Sequence, residues 1–297
     1  MSIWRVKPVS AFEADMKKND LKRVLTKWGL TSLGIGAIIG GGIFTLTGIA
    51  AHDYAGPALA LSFVIAGIGC LFASLCYAEF ASVLPVEGSA YAYAYGTVGE
   101  LFAWFIGWNL ILEYMMGATT VAVAWSGYFV KLLHLFHIDM PIWLCNDLAT
   151  ATEKVTKHNA EFPSDLISMP SFAINLPALI ITLIVTSILI KGIKEAAKTN
   201  NIIVIVKIAV VLFVIIVGAF YIDTANWHPF IPAETTTIVD GVEKVNFGYG
   251  GVMTAATIVF FAYIGFDAVS TQAGEAINPK KDVPFAIVAS LVICTVL

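Results

Sequence analysis

Apolar residues gather into seven blocks separated by polar connections, the longest a loop from about His134 to Asn175. The blocks run from about Leu30 to Ala51, Ala58 to Phe80, Leu101 to Val130, Leu176 to Ile190, Ile202 to Ile222 and Gly250 to Val269, with a last one from Pro284 to Leu297. A helix needs ~20 apolar residues to cross a hydrocarbon core of ~30 Å, and most of the first six approach that length. The pattern predicts an all-α integral membrane protein, with residues 1–29 as a polar arm and residues 30–297 as a transmembrane domain. The seventh block would extend only about 21 Å as a helix. We therefore expect a piece of a longer protein that stops within span seven, its remainder following in the same chain or, as the alternative, supplied by a partner chain.

Composition agrees with that picture. Apolar residues make up 58% of the chain, charged residues 13%, and the mean hydropathy is +0.83. These values exclude an ordinary soluble domain and leave the lipid bilayer as the expected surroundings. A net charge of −4 gives no reason to expect a nucleic-acid partner. The cationic residues are unevenly spread. Twelve of the 17 Lys and Arg lie in the N-terminal arm (Arg5, Lys7, Lys17, Lys18, Lys22, Arg23, Lys27), after span four and after span six. By the positive-inside rule this places the N-terminus in the cytoplasm of a multi-pass protein of the cell membrane. The arm itself reads as a surface helix. Cys70, Cys76, Cys145 and Cys294 show neither disulfide nor metal spacing, and no cofactor is expected. His52, His134, His137, His158 and His228 lie in or beside loops and carry no assigned role.

The first span holds GIGAIIGGGIF, Gly34 to Phe44, with Gly40, Gly41 and Gly42 consecutive at its centre. Glycine loses the most backbone freedom on ordering, so three together make a place for a helix to come apart. Backbone groups freed at membrane depth cost several kcal/mol unless something polar satisfies them. The sixth span reads AATIVFFAYIGFDAVST, with Gly265 and Asp267 inside it. If five-helix units repeat in inverted orientation, spans one and six correspond, and paired interruptions mark a midplane binding site. The positive helix end of span one would meet a substrate carboxylate, and carbonyls around Phe261, Ala262 and Ile264 would take an ammonium group. The plainer alternative makes Gly36, Gly40 and Gly265 close-packing positions only. Gly34-Ile-Gly36-Ala-Ile-Ile-Gly40 lacks the spacing and the preceding strand of a dinucleotide fingerprint.

Three ionisable residues stand within spans. Lys207 in span five must find a partner, lose its proton or snorkel to the interface. Glu113, midway through span three, must be protonated, paired or open to an aqueous cavity. Asp267 either takes part in proton coupling or caps the restarted half of span six. No nucleophile–base pair or metal cluster suggests an enzyme.

Taken together, GIGAIIGGGIF, CYAEFASVLPVEGSAYAYAY, GWNLILEYMMG, NNIIVIVK and FFAYIGFDAVSTQAGEAINPKKDVP resemble the amino acid–polyamine–organocation superfamily, in particular bacterial relatives of the cationic amino acid transporters. The resemblance implies an inverted-repeat (5+5) transporter fold with discontinuous helices 1 and 6, here with the first repeat complete and the second ending within span seven. It implies a proton-coupled amino acid symporter working by alternating access. The substrate carboxylate would lie near Ile38, Gly40, Gly41 and Gly42, the amine near Phe261 and Ile264. Lys207 matches the family lysine that stands where sodium-coupled relatives hold their ion, and Glu113 matches the acid of the third span. Gly41, Asn109 and Gly274 depart from the family pattern, Gly274 replacing one of two acids after STQA. Alternative functions are an amino-acid-sensing or channel-like membrane protein, or a fragment that transports nothing alone.

Overall fold

Helices carry most of the described chain, because a helix satisfies its own backbone where water is absent. The computed structural model describes residues 4–18, 23–40, 42–164, 166–168, 170–239 and 242–297; Lys22 of the basic arm and Gly41 of the expected carboxylate site lie outside them. Two units form, Met1–Leu112 with Ala196–Leu297, and Glu113–Glu195.

The first unit begins with α1 (Val9–Lys18) and α2 (Lys27–Ile38). After α2 come a π-type stretch at Gly42–Leu46, α3 (Thr47–Ala50), a second π-type stretch at Ala51–Ala55 and a 3₁₀ turn at Gly56–Ala58. Next are α4 (Leu59–Val83) and α5 (Ser89–Thr97). The long α6 (Glu100–Leu135) runs into the second unit, which holds α7 (Ile142–Cys145), α8 (Leu148–Glu161) and α9 (Leu176–Ile190). Then α10 (Ile193–Ala219) leads back to the first unit, to an antiparallel hairpin of β1 (Thr235–Val239) and β2 (Val242–Asn246). The described chain closes with α11 (Gly248–Phe260), a 3₁₀ turn, α12 (Ala268–Thr271) and α13 (Pro279–Val296).

Among the described residues, four stretches are long and apolar enough to cross a membrane: Lys27–Val83, Glu100–Leu135, Glu195–Ala219 and Gly248–Thr271. The first would measure about 85 Å if straight, and contains both of the first two predicted spans. They are separated at Gly56, whose φ of +58° suits glycine, followed by Pro57. The predicted fourth span is the shorter apolar helix α9.

Local chemistry sets the ends of these helices. The Thr26 hydroxyl accepts from Gly29 N at 3.2 Å and starts α2. Asn175 accepts from Ala178 N at 3.1 Å to start α9, and in the same unit accepts the Ser126 hydroxyl at 2.6 Å. In the polar stretch that the pattern leaves as loop, Asp147 caps α8: the Thr150 hydroxyl, and then its N–H, hold this carboxylate below its usual range.

Small side chains let α4, α11 and α13 approach closely, as helices packed in lipid do. Their shared core holds Ala58, Ala66, Cys70, Ala255, Val259 and Leu291. The fully buried Ser62 hydroxyl donates to Val252 O at 2.8 Å across the α4–α11 seam. On another side, Ile35 and Ile39 pack against Val204 of α10.

The N-terminal arm is docked rather than lying free on a surface. Phe12 of α1 is buried in a core with Leu84 and Tyr93. Lys7 N donates to Tyr95 O at 3.0 Å, and Glu100 N donates to Arg5 O at 3.1 Å. Further along, Leu25 forms a parallel bridge with Ala276: Leu25 N donates to Glu275 O and Ile277 N to Leu25 O, each at 2.9 Å. The arm is therefore pinned both to the α5 region and to the segment before α13.

Candidate functional site

Two helices stop where the sequence places its glycines. Regular α-structure ends at Ile38, and Ile39 continues with ψ +93°, outside the helical region. The helix resumes from Gly42 in π form. In the other span, α11 ends at Phe260, passes through a 3₁₀ turn at Phe261–Tyr263, and leaves Ile264 at ψ +133° before α12 begins at Ala268. Each interruption frees carbonyls at the end of one half and N–H groups at the start of the next.

The two interruptions pack directly on each other. A Cβ built on Gly42 would overlap the Ala262 backbone and come within 2.7 Å of its Cβ. Gly265, at φ +109°, leans on Ala37, whose carbonyl carbon, oxygen and Cβ would all lie 3.0 Å from an added Cβ. Only glycine combines that backbone angle with that approach. The turn is held from behind by Tyr263, whose hydroxyl donates to Phe63 O of α4 at 3.0 Å.

Lys207 of α10 closes off the free end of α2. Its ammonium donates to Gly36 O at 2.8 Å and to Ile39 O at 2.6 Å. Carbonyls at a helix C-terminus carry partial negative charge, so a cation there gains both hydrogen bonds and dipole attraction. The side chain thus ends on the interrupted helix instead of snorkelling to an interface. Below it, the Ser32 hydroxyl donates to Asn201 Oδ1 at 2.7 Å, and Asn200 Nδ2 donates to Ser32 O at 3.4 Å. Gly36 leaves room for the Asn200 amide, since a Cβ at 36 would lie 2.5 Å from its oxygen.

Asp267 is buried, 5% exposed, at the N-cap position of α12, yet makes no side-chain capping bond. Its carboxylate instead receives the Ser89 hydroxyl across a long 3.4 Å. Ser89 is fully buried and holds φ +51°, a left-handed conformation that costs a non-glycine residue about 1–2 kcal/mol. Glu113 stands half-buried in α6, in the second unit.

The first unit therefore brings together Ile38, Gly40, Gly42, Phe261, Ala262 and Ile264 as two facing interruptions, with Lys207 bonded beside one and Asp267 just past the other. Several contributors are absent from the expectations: Tyr263, Ala37, Ser32, Asn200, Asn201 and Ser89. The pair Asn200-Asn201 lies in a motif the sequence singles out, and one helical turn plus three residues separates it from Lys207. Gly274 also finds a reason: a side chain there would overlap the Glu87 carboxylate, with 2.6 Å to its carbon.

Comparison with known proteins bears on what such a site serves. A family profile described as amino acid permease matches residues 25–297. The chain is 46% identical over 297 residues to the branched-chain amino acid permease BcaP of Bacillus subtilis, covering 100% of this chain and 57% of that one. It is 43% identical over 296 residues to the methylthioribose transporter of Bacillus subtilis, again covering 100% of this chain and 57% of the relative. With the chloroplastic cationic amino acid transporter 9 of Arabidopsis thaliana it shares 37% identity over 280 residues, 93% of this chain and 44% of the relative. The chain spans about half the length of these curated relatives.

Proposed function

Because the chain belongs to the amino acid permease family, we propose that it forms the substrate-binding portion of a proton-coupled amino acid symporter that works by alternating access. In this reading the full protein carries two inverted five-helix repeats in the cell membrane, its N-terminus cytoplasmic. The substrate carboxylate sits at Ile38, Gly40, Gly41 and Gly42; the ammonium group meets carbonyls of Phe261, Ala262 and Ile264. Lys207 couples the proton: charged, it holds Gly36 and Ile39, and on losing its proton it weakens its grip on that end of α2. A ligand moves an equilibrium only by binding its states unequally, and a charge that comes and goes at a helix end provides such a difference. Asp267 and Glu113 are the further proton-coupling groups.

One observation carries the reading: two interrupted apolar helices meet at Gly42 and Ala262, with a lysine bonded to the carbonyls of the interruption. The same glycines also let the two segments pack closely, and the lysine's bonds to Gly36 O and Ile39 O set it apart from a snorkelling side chain. A second reading, transport of a thio-sugar, is favoured by the 43% identity to a methylthioribose transporter. The test is uptake by the full-length protein in proteoliposomes, with labelled leucine, arginine and methylthioribose. Accumulation of an amino acid that collapses with a protonophore is expected. Accumulation of methylthioribose alone would replace the substrate, and saturable binding without accumulation would turn the protein into a sensor.

A further inference from the structure

The end of α2 away from its interruption meets the start of α13 at an exposed ledge of aromatic and cationic groups. The rings of Trp28 and Phe285 stand edge to face at 5.5 Å and 88°. Both stay open to the surroundings, Trp28 by 60% and Phe285 by 41%. The Lys27 ammonium lies over both rings, 5.7 Å and 5.4 Å from their centres. Lys281 precedes Phe285 by one turn on the same face of α13 and is exposed, as is Lys280. Among the described residues neither Lys27, Lys280 nor Lys281 makes an ion pair. Asp282, next in sequence, stands ~100° round the helix. Beyond Phe285 the same stripe continues through the exposed Val292 and Val296.

Such a face has cations at its edge, aromatic rings below them and aliphatic side chains beyond. Aromatic rings settle at the headgroup level of a bilayer and aliphatic ones in the hydrocarbon. A soluble anion would match the lysines and leave the rest of the stripe in water. A phospholipid matches all three levels at once. We propose that Lys27, Trp28, Lys281 and Phe285 form a seat for an anionic phospholipid, its phosphate between the two lysines and its chains along α13. The proposal rests on reading α2 and α13 as membrane helices. Because the two lysines belong to different helices, a seated lipid ties the outer end of α2 to α13, beside the half-helix whose other end Lys207 holds.

The full-length permease in nanodiscs of mixed phosphatidylglycerol and phosphatidylcholine tests this by native mass spectrometry of retained lipid, with counterflow uptake measured separately. A juxtamembrane lysine favours an anionic leaflet about fivefold, so Lys27→Gln with Lys281→Gln should cut the preference for phosphatidylglycerol about 25-fold. Lys27→Arg with Lys281→Arg should keep it, and Trp28→Ala should weaken retention of both lipids. An unchanged preference in the double glutamine variant overturns the proposal. So does displacement of the bound lipid by millimolar glycerol phosphate, which would mark a site for a soluble anion. Lost uptake with intact lipid preference would count against the transport reading alone.

Discussion

Replacing Lys207 by Met removes one cation and two hydrogen bonds while keeping a chain of similar length. The bonds measure 2.8 Å to Gly36 O and 2.6 Å to Ile39 O, and α2 has no further turn to satisfy these carbonyls. An unpaired buried carbonyl costs about 1–3 kcal/mol, so the pair costs about 2–6 kcal/mol. The lost attraction to the helix end adds about 0.3–1 kcal/mol. Transport states commonly differ by a few kcal/mol, so even the low figure moves their balance roughly thirtyfold. In proteoliposomes of the full-length protein with an imposed pH gradient, Lys207→Met should lose gradient-driven accumulation, and counterflow at equal pH should show what exchange remains. Lys207→Arg separates charge from proton release, since guanidinium keeps its proton throughout. It should retain substrate binding and lose the response to the gradient. Wild-type dependence on the gradient in the Met variant would refute the assigned role outright.

Gly42→Ala drives a methyl into the Ala262 backbone, which no rotamer change relieves; overpacking of about 1–3 kcal/mol should lower Tm and abolish uptake, and normal uptake would mean that the interruptions do not stay packed in transport. Gly265→Ala combines φ +109° with a 3.0 Å approach to Ala37 and should be at least as damaging, whereas Gly117→Ala, whose Cβ meets nothing within 4 Å, should be neutral in the same thermal assay. Burial, and secondarily Glu87, push the Glu275 carboxyl above its usual range, and its Oε2 is buried with no hydrogen-bond partner among the described residues. The fold therefore favours neutral Glu275, and the stability it lends is full at acid pH and lost as pH rises toward the elevated folded value. Glu275→Gln should then raise Tm at about pH 7 and leave it unchanged at about pH 3.5, below the ordinary Glu value. An equal gain at both pH values would mean that charge is not the cause.

How much of this could be read from residues alone varies with the kind of interaction. Apolar blocks located the long helices because a span must satisfy its backbone internally, which leaves few ways to write one. Three consecutive glycines pointed to the end of α2, and Gly265 to the end of α11, since glycine has a cost in a helix that only a special geometry repays. What stood opposite these breaks was not legible. Tyr263 looks like any interfacial tyrosine, and nothing in the order of residues says that its hydroxyl reaches Phe63 O, 200 positions away. The same holds for Ser32 and the Asn200-Asn201 pair, which meet only because two distant helices lie side by side. The extramembrane parts fared worst. Asp147 before Leu148 is a helix-start signal, and two β-branched runs flank Asp240-Gly241, a common hairpin pair; in both stretches the polar composition reads as loop and masks the signal. The docking of the arm is not legible either, because VSAFEADMKK has the mixed pattern of a surface helix and nothing in it marks Phe12 for burial.

That arm has a consequence for the order of synthesis. Residues 5 and 7 leave the ribosome ~90 residues ahead of their partners Glu100 and Tyr95, and Ala276 follows Leu25 by ~250 residues. At about 5–20 residues per second the Leu25 strand waits roughly ten seconds to a minute for its mate. Leu25 is thus made long before its seat exists, and a tag or fusion placed ahead of it travels with a piece of chain that has still to be threaded home.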